Sequence, residues 1–141
     1  MFRIRQVSNS LSIMDRGAIS QVVDLMKSLF PLANQEQFDE IPEILNNPFK
    51  YRFQLILLVA DDTNGNVKGA ALLYHAADLM FCYLDYVASR KDLSSRGIGG
   101  ALYQRVREEA LSLGSVGIFY ECLPDDPTLC PDQEVLKQNQ A

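Results

Sequence analysis

With one histidine and three cysteines, this 141-residue chain has little with which to hold a metal or a disulfide framework. Cys82, Cys122 and Cys130 are an odd set with no CxxC pair. That argues against zinc and against paired disulfides, and it fits a reducing, cytoplasmic setting. No apolar run is long enough to span a bilayer, so no membrane partner is expected. The opening MFRIRQVSNS lacks the apolar core of a signal peptide. A basic stripe is missing as well. The net charge of -5 speaks against a nucleic-acid partner and tolerates a cationic one, such as an amine. There is no internal repeat, low-complexity segment or linker. The residues are 48% hydrophobic and 22% charged, which is the balance of a single globular domain able to bury a core of its own.

What is present is a series of clear periodicities. Phe2–Val7 suits a short first strand. Ser12 with Asp15 resembles a capping pair, and Ile19, Val22, Val23, Met26 and Phe30 then recur at helical spacing until Pro31 stops the pattern. Phe38, Ile41 and Leu45 predict a second helix, with Pro42 implying a kink or two short pieces. Phe53–Asp61, Val67–Ala76 and Met80–Ser89 have the length and composition of strands. The first two are joined by the turn Asp62-Thr63-Asn64-Gly65-Asn66. LILLVA is apolar on both faces and belongs inside a covered sheet. Gly97–Leu113 is an amphipathic helix with Ile98, Ala101, Leu102, Val106, Ala110 and Leu113 on one face, and Gly114 suits the position just past its end. Val116–Leu123 is the next strand, and DQEVLKQNQA begins a last helix. The predicted order is β-α-α-β-β-β-α-β-α. This is an α/β fold with helices on a mixed sheet, antiparallel in its middle, whose last two strands are parallel across a crossover helix.

The chemistry concentrates where an apolar strand runs through a polar loop into Gly97-Ile98-Gly99-Gly100 and a helix. Glycines allow close approach to the main chain, and the first turn of a helix presents unpaired N–H groups at its positive end. A phosphate or pyrophosphate is the natural ligand there, and Arg96 can add a charge. A dinucleotide fingerprint starting at Gly97 needs glycine or alanine where Leu102 stands, and no Gly-Lys-Ser/Thr ending marks a P-loop. The plainer alternative is a turn whose glycines serve packing alone.

YVASRKDLSSRGIGGALYQRVREEA resembles motif A of the GNAT superfamily of acyl-CoA N-acyltransferases, with Gly97, Ile98 and Gly99 at its core and Arg96 at a frequent basic position. Ser94 stands where that motif usually has Arg or Gln, which implies weaker pyrophosphate contact. The resemblance implies acetyl-CoA as cosubstrate and no metal. It puts the pantetheine arm on the backbone of Tyr86, Val87 and Ala88, and the pyrophosphate on amides of Ser95, Arg96, Gly97, Ile98, Gly99, Gly100 and Ala101. It also implies that the fourth and fifth strands splay apart around the arm, and that an acceptor amine attacks the thioester directly.

Such attack needs a base and a donor for the leaving thiolate. Asp85 and Tyr83 share one face of the fourth strand by period two, and a desolvated Asp85 can act as base; solvent exposure or a structural pairing is the alternative. Glu121 on the fifth strand is a second candidate. Tyr103 and Tyr120 read as packing residues, His75 as structural, and Cys82 and Cys122 have no histidine close in sequence. Asp125, Asp126, Asp132 and Glu134 read as a solvated loop. LKQNQA resembles the start of the family's motif B, with Asn139 before a helix. The chain then ends before the last two strands of such a domain, so it is expected to be the front portion of a longer one. Its fifth strand or C-terminal helix is expected to self-associate. The function expected is amine N-acetyltransfer; the alternative is an inactive acyl-CoA-binding module for regulation or interaction.

Overall fold

The computed structural model describes residues 2–91 and 97–120. After β1 (Arg3–Val7), helix α1 (Ile13–Leu29) begins where the sequence signals it. The Ser12 hydroxyl caps it by accepting from the Asp15 N–H at 3.0 Å, and Asp15 lies in the first turn, where the helix dipole favours an acid. The expected second helix is two short ones, α2 (Gln35–Asp39) and α3 (Ile41–Asn46). Pro42 sits in the first turn of α3, where its missing N–H removes no helical bond. Three strands follow, β2 (Gln54–Asp61), β3 (Val67–Ala76) and β4 (Phe81–Ser89), then α4 (Ile98–Ser112) and β5 (Ile118–Tyr120).

The sheet order is β1-β2-β3-β4-β5, antiparallel up to β4 and parallel between β4 and β5. The β2–β3 turn is held by Asp62, whose carboxylate accepts from the N–H groups of Asn64 and Asn66, both at 2.9 Å. Those bonds, led by the one from Asn66, hold its carboxyl below the usual range. Helix α4 ends in a Schellman arrangement: Ser115 N–H bonds to Ala110 C=O, and Gly114 N–H to Leu111 C=O, with Gly114 at φ 74°.

Both faces of the sheet are covered, as LILLVA implies. In β2, Leu55, Leu57 and Val59 pack toward α1–α3, while Ile56, Leu58 and Ala60 pack toward α4. Ala70 and Leu72 of β3 face the first layer, and Ala71 and Leu73 the second. In β4 this alternation breaks. Leu73 pairs with Leu84 but Leu72 pairs with Tyr86, so Asp85 is the extra residue of a β-bulge. Cys82 and Leu84 therefore lie on the α4 side, whereas Tyr86 and Ala88 lie on the α1–α3 side. There Tyr86 meets Phe30 at 4.8 Å and Phe38 at 5.1 Å between ring centroids.

Two details differ from the periodicity. The buried stripe of α4 is Ile98, Leu102, Val106 and Ala110, a strict four-residue spacing that leaves Ala101 at its edge and Leu113 exposed near the helix end. Strand β5 begins at Ile118 rather than Val116. Val116 is exposed, and its N–H bonds to Met80 C=O in the turn leading in. The expected last helix lies outside the described residues.

Candidate active site

The site begins where α4 starts. Gly97 caps the helix with φ 83°, a conformation side chains rarely adopt, and among the described residues no side chain caps the helix start. Ala101 N–H already bonds to Gly97 C=O at 3.2 Å, so the amides of Ile98, Gly99 and Gly100 are the ones left without a helical acceptor. A Cβ added at Gly97 or Gly100 would meet nothing within 4 Å, and one at Gly99 only Ser89 Oγ at 3.9 Å. Ser94, Ser95 and Arg96 lie outside the described residues.

Ile98, fully buried, anchors the helix start against the sheet. Gly69 of β3 lets it come that close. A Cβ there would stand 2.7 Å from Ala88 C=O and 2.7 Å from Ile98 Cγ2. Gly69→Ala is therefore expected to cost roughly 1–3 kcal/mol by overpacking and to push the start of α4 off β4. Chemical denaturation measures the first effect, and amide shifts of residues 98–101 the second; a variant as stable as the parent would refute the close packing.

Alongside this helix start runs the C-terminal half of β4. Arg90 N–H bonds to Lys68 C=O at 2.8 Å, and these residues stand opposite each other in the register that pairs Gly69 with Ser89. By the alternation of antiparallel pairs, Ala88 and Tyr86 also bond to β3, and the N–H and C=O of Val87 turn to the other edge. The pairing of β4 with β5 covers Cys82–Leu84 only among the described residues. Val87 thus offers main-chain groups beyond the last described pair, on the same side of the bulge as the α4 start.

At the bulge lies a cleft of about 490 Å³, open between α2, α3, the segment before β2, and the strands β3 and β4. Asp85 and Tyr83 both line it, as period two predicts for that face. Gln37 of α2 donates from Nε2 to Asp85 Oδ2 at 2.7 Å. Burial and then the charge of Asp85 push the Tyr74 phenol up to about 12, against a hydrogen bond from Gln37. The same two causes raise Tyr86. Both phenols therefore stay protonated at neutral pH, which excludes them as bases.

Tyr83, Asp85, Tyr86, Val87, Ala88, Gly97, Ile98, Gly99, Gly100 and Ala101 fall on two neighbouring elements, β4 and the start of α4. Glu121 and Asn139 lie outside the described residues, as do the acidic positions from Asp125 to Glu134. His75 is buried in β3, opposite Gln54 and Cys82, and Cys82 Sγ lies 3.0 Å from Ser115 Oγ. Sequence reading missed Gln37, Tyr74 and Gly69. A lone glycine inside an apolar strand does signal close approach of another backbone, which could have singled out Gly69. Among the described residues no group of His, Cys, Asp or Glu could hold a metal ion, and no helix is long and apolar enough to cross a membrane.

This architecture is the GNAT acetyltransferase fold. GCN5 from Tetrahymena matches with a TM-score of 0.72 at 13% identity, over 98% of this chain and 77% of that one. AAC(6')-Iy, solved with the bisubstrate analogue CoA-S-monomethyl-acetylneamine, matches with a TM-score of 0.69 at 16% identity, over 99% and 88%. An aminoglycoside acetyltransferase from an uncultured soil metagenomic sample, meta-AAC0020 in complex with sisomicin, matches at 0.66 and 14%, also over 99% and 88%. At these identities the likeness is one of fold. No protein-family model matches the chain, and no curated protein does.

Proposed function

We propose that this chain is an acyl-CoA-dependent N-acetyltransferase that passes an acetyl group from acetyl-CoA to an amine by direct attack. One observation carries the reading: the cleft bearing Asp85 and the outward-facing Val87 follow one another along β4, and the glycine-lined start of α4 packs beside that strand. Asp85 is two residues from Val87, roughly 7 Å along the strand, which suits a donor held on one side of the bulge and an acceptor on the other. Known structures of this fold include a complex with a CoA bisubstrate analogue, which supports CoA as the donor.

The residues fit that ligand. The amides of Ile98, Gly99 and Gly100, which have no helical acceptor, are three donors for a pyrophosphate, and the glycines keep side chains out of its way. Acetyl-CoA supplies the acetyl group as a thioester: a C–N bond forms, the C–S bond breaks, and CoA leaves as a thiolate. Asp85, held by Gln37, takes the proton that the attacking amine must lose, and Tyr83 in the same cleft is the candidate donor to the thiolate. Proximity and orientation supply the rest of the rate.

Thermal unfolding with CoA, acetyl-CoA, NAD and ATP tests the donor site, with CoA-thiol release over an amine panel as the second readout. CoA and acetyl-CoA are expected to raise Tm, by about 2–4 kcal/mol of linked stability at saturating ligand, and NAD and ATP far less. Equal shifts for all ligands would refute the site. Binding without thiol release for any amine would make the chain an acyl-CoA-binding module instead.

A further inference from the structure

The cleft beside Asp85 has a composition that selects among amines. Its walls carry aromatic rings from Tyr51, Phe53, Tyr74, Phe81 and Tyr83. Phe53 stands edge-on to Tyr74 at 4.8 Å, and Tyr51 lies 5.8 Å from Phe53, so these rings brace one another. The charged lining residues are the carboxylates Asp85 and Glu40, and no Lys or Arg is among the described residues that line the space. They enter from different elements, Asp85 from the β4 bulge and Glu40 from the junction of α2 and α3. At the rim the chain already places an ammonium against a ring: Lys50 Nζ sits 5.7 Å from the Tyr51 centroid while paired with Glu43 at 3.0 Å.

We infer that this cleft takes a primary amine bearing one ammonium on an aromatic or compact apolar body, and disfavours polycationic sugar amines. The reaction the amine would undergo rests on the acetyltransferase reading above; its binding does not. An ammonium placed between a carboxylate and ring faces gains both charge pairing and cation–π attraction. The apolar body covers the rings and removes their area from water. A polycationic sugar meets the opposite balance. Two lining carboxylates leave its further ammonium groups unpaired, and its hydroxyls lose water against aromatic walls that return few hydrogen bonds. Gln37 fixes the Asp85 carboxylate from α2, so the anionic end of the cleft is set before ligand arrives.

The test is calorimetric binding to the full chain, without acetyl-CoA, of 2-phenylethylamine, its neutral isostere 2-phenylethanol, and sisomicin. The amine is expected to bind at least about tenfold tighter than either comparison ligand, as one charge-assisted contact provides. Asp85→Asn is expected to weaken the amine by a similar factor and leave 2-phenylethanol unchanged. Glu40→Gln, at an exposed position, keeps the test open should Asp85→Asn not fold, and a smaller loss confined to the amine is expected. Equal binding of amine and alcohol, tighter binding of sisomicin, or no amine binding at millimolar concentration would overturn the inference. Thiol release from acetyl-CoA separates the two readings. Amine binding without release upholds the cleft and overturns the transfer reading. Release with sisomicin but not with 2-phenylethylamine does the reverse.

Discussion

Gly99→Gln is expected to lower acetyl-CoA affinity at least about a hundredfold while leaving the protein as stable as before or slightly more so. The two effects come from different physics. In the first turn of α4 the new Cβ finds Ser89 Oγ at 3.9 Å and nothing closer, so the fold has room for it. Glutamine is also a better helix former than glycine, by up to about 1 kcal/mol. Yet a glutamine side chain in the first turn, which leans toward the helix N-terminus, is expected to deny a pyrophosphate close approach to the main chain there. Calorimetry with acetyl-CoA and a denaturant melt on the same sample measure both. A folded variant with unchanged affinity would move the donor site elsewhere.

Asp61→Ala should cost about 3 kcal/mol of stability, near the lower end for breaking a buried ion pair. Asp61 is 1% exposed and accepts from Arg3 Nε at 3.1 Å and Arg5 Nε at 3.2 Å, which ties β1 to the end of β2. Burial works against the Arg5 charge, but its bonds to Asp15 and Asp61 outweigh that and hold its pKa above the ordinary value. Without Asp61 this half-buried guanidinium keeps, among the described residues, only Asp15 at the start of α1 as an acidic partner. Arg3 and Arg5 are partly exposed, and water tempers the loss. Urea unfolding gives the number, and a loss below about 1 kcal/mol would show the network to be weak.

Much of this molecule was legible in one dimension because the signals involved are local. Ser12 capping α1, Pro31 closing it, Pro42 splitting the second helix and Gly114 ending α4 each act within a turn of their own position. The apolar run of β2 declares a strand buried on both faces, because a side-chain period of two leaves neither face to water. The glycine turn opening α4 also reads directly, since a positive φ and unpaired helical N–H groups depend only on the residues that make them. That turn and its flanking strand carried the resemblance to the GNAT family, and the fold agrees with it.

Tertiary structure decided the rest. The bulge at Asp85 is a mismatch of register between β3 and β4, and nothing in β4 alone announces it. It reverses the faces beyond it, so that Tyr86 joins Phe30 and Phe38 although it is an odd number of residues from Tyr83. The cleft is assembled from α2, α3, β3 and β4, and Gln37 reaches Asp85 across 48 residues of chain. Gly69 matters only because α4 returns to lie against β3 and β4. Caps, turns and periods belong to neighbours in sequence. Register, cleft walls and backbone approach belong to pairs of segments, and those exist only once the sheet and its helices have packed.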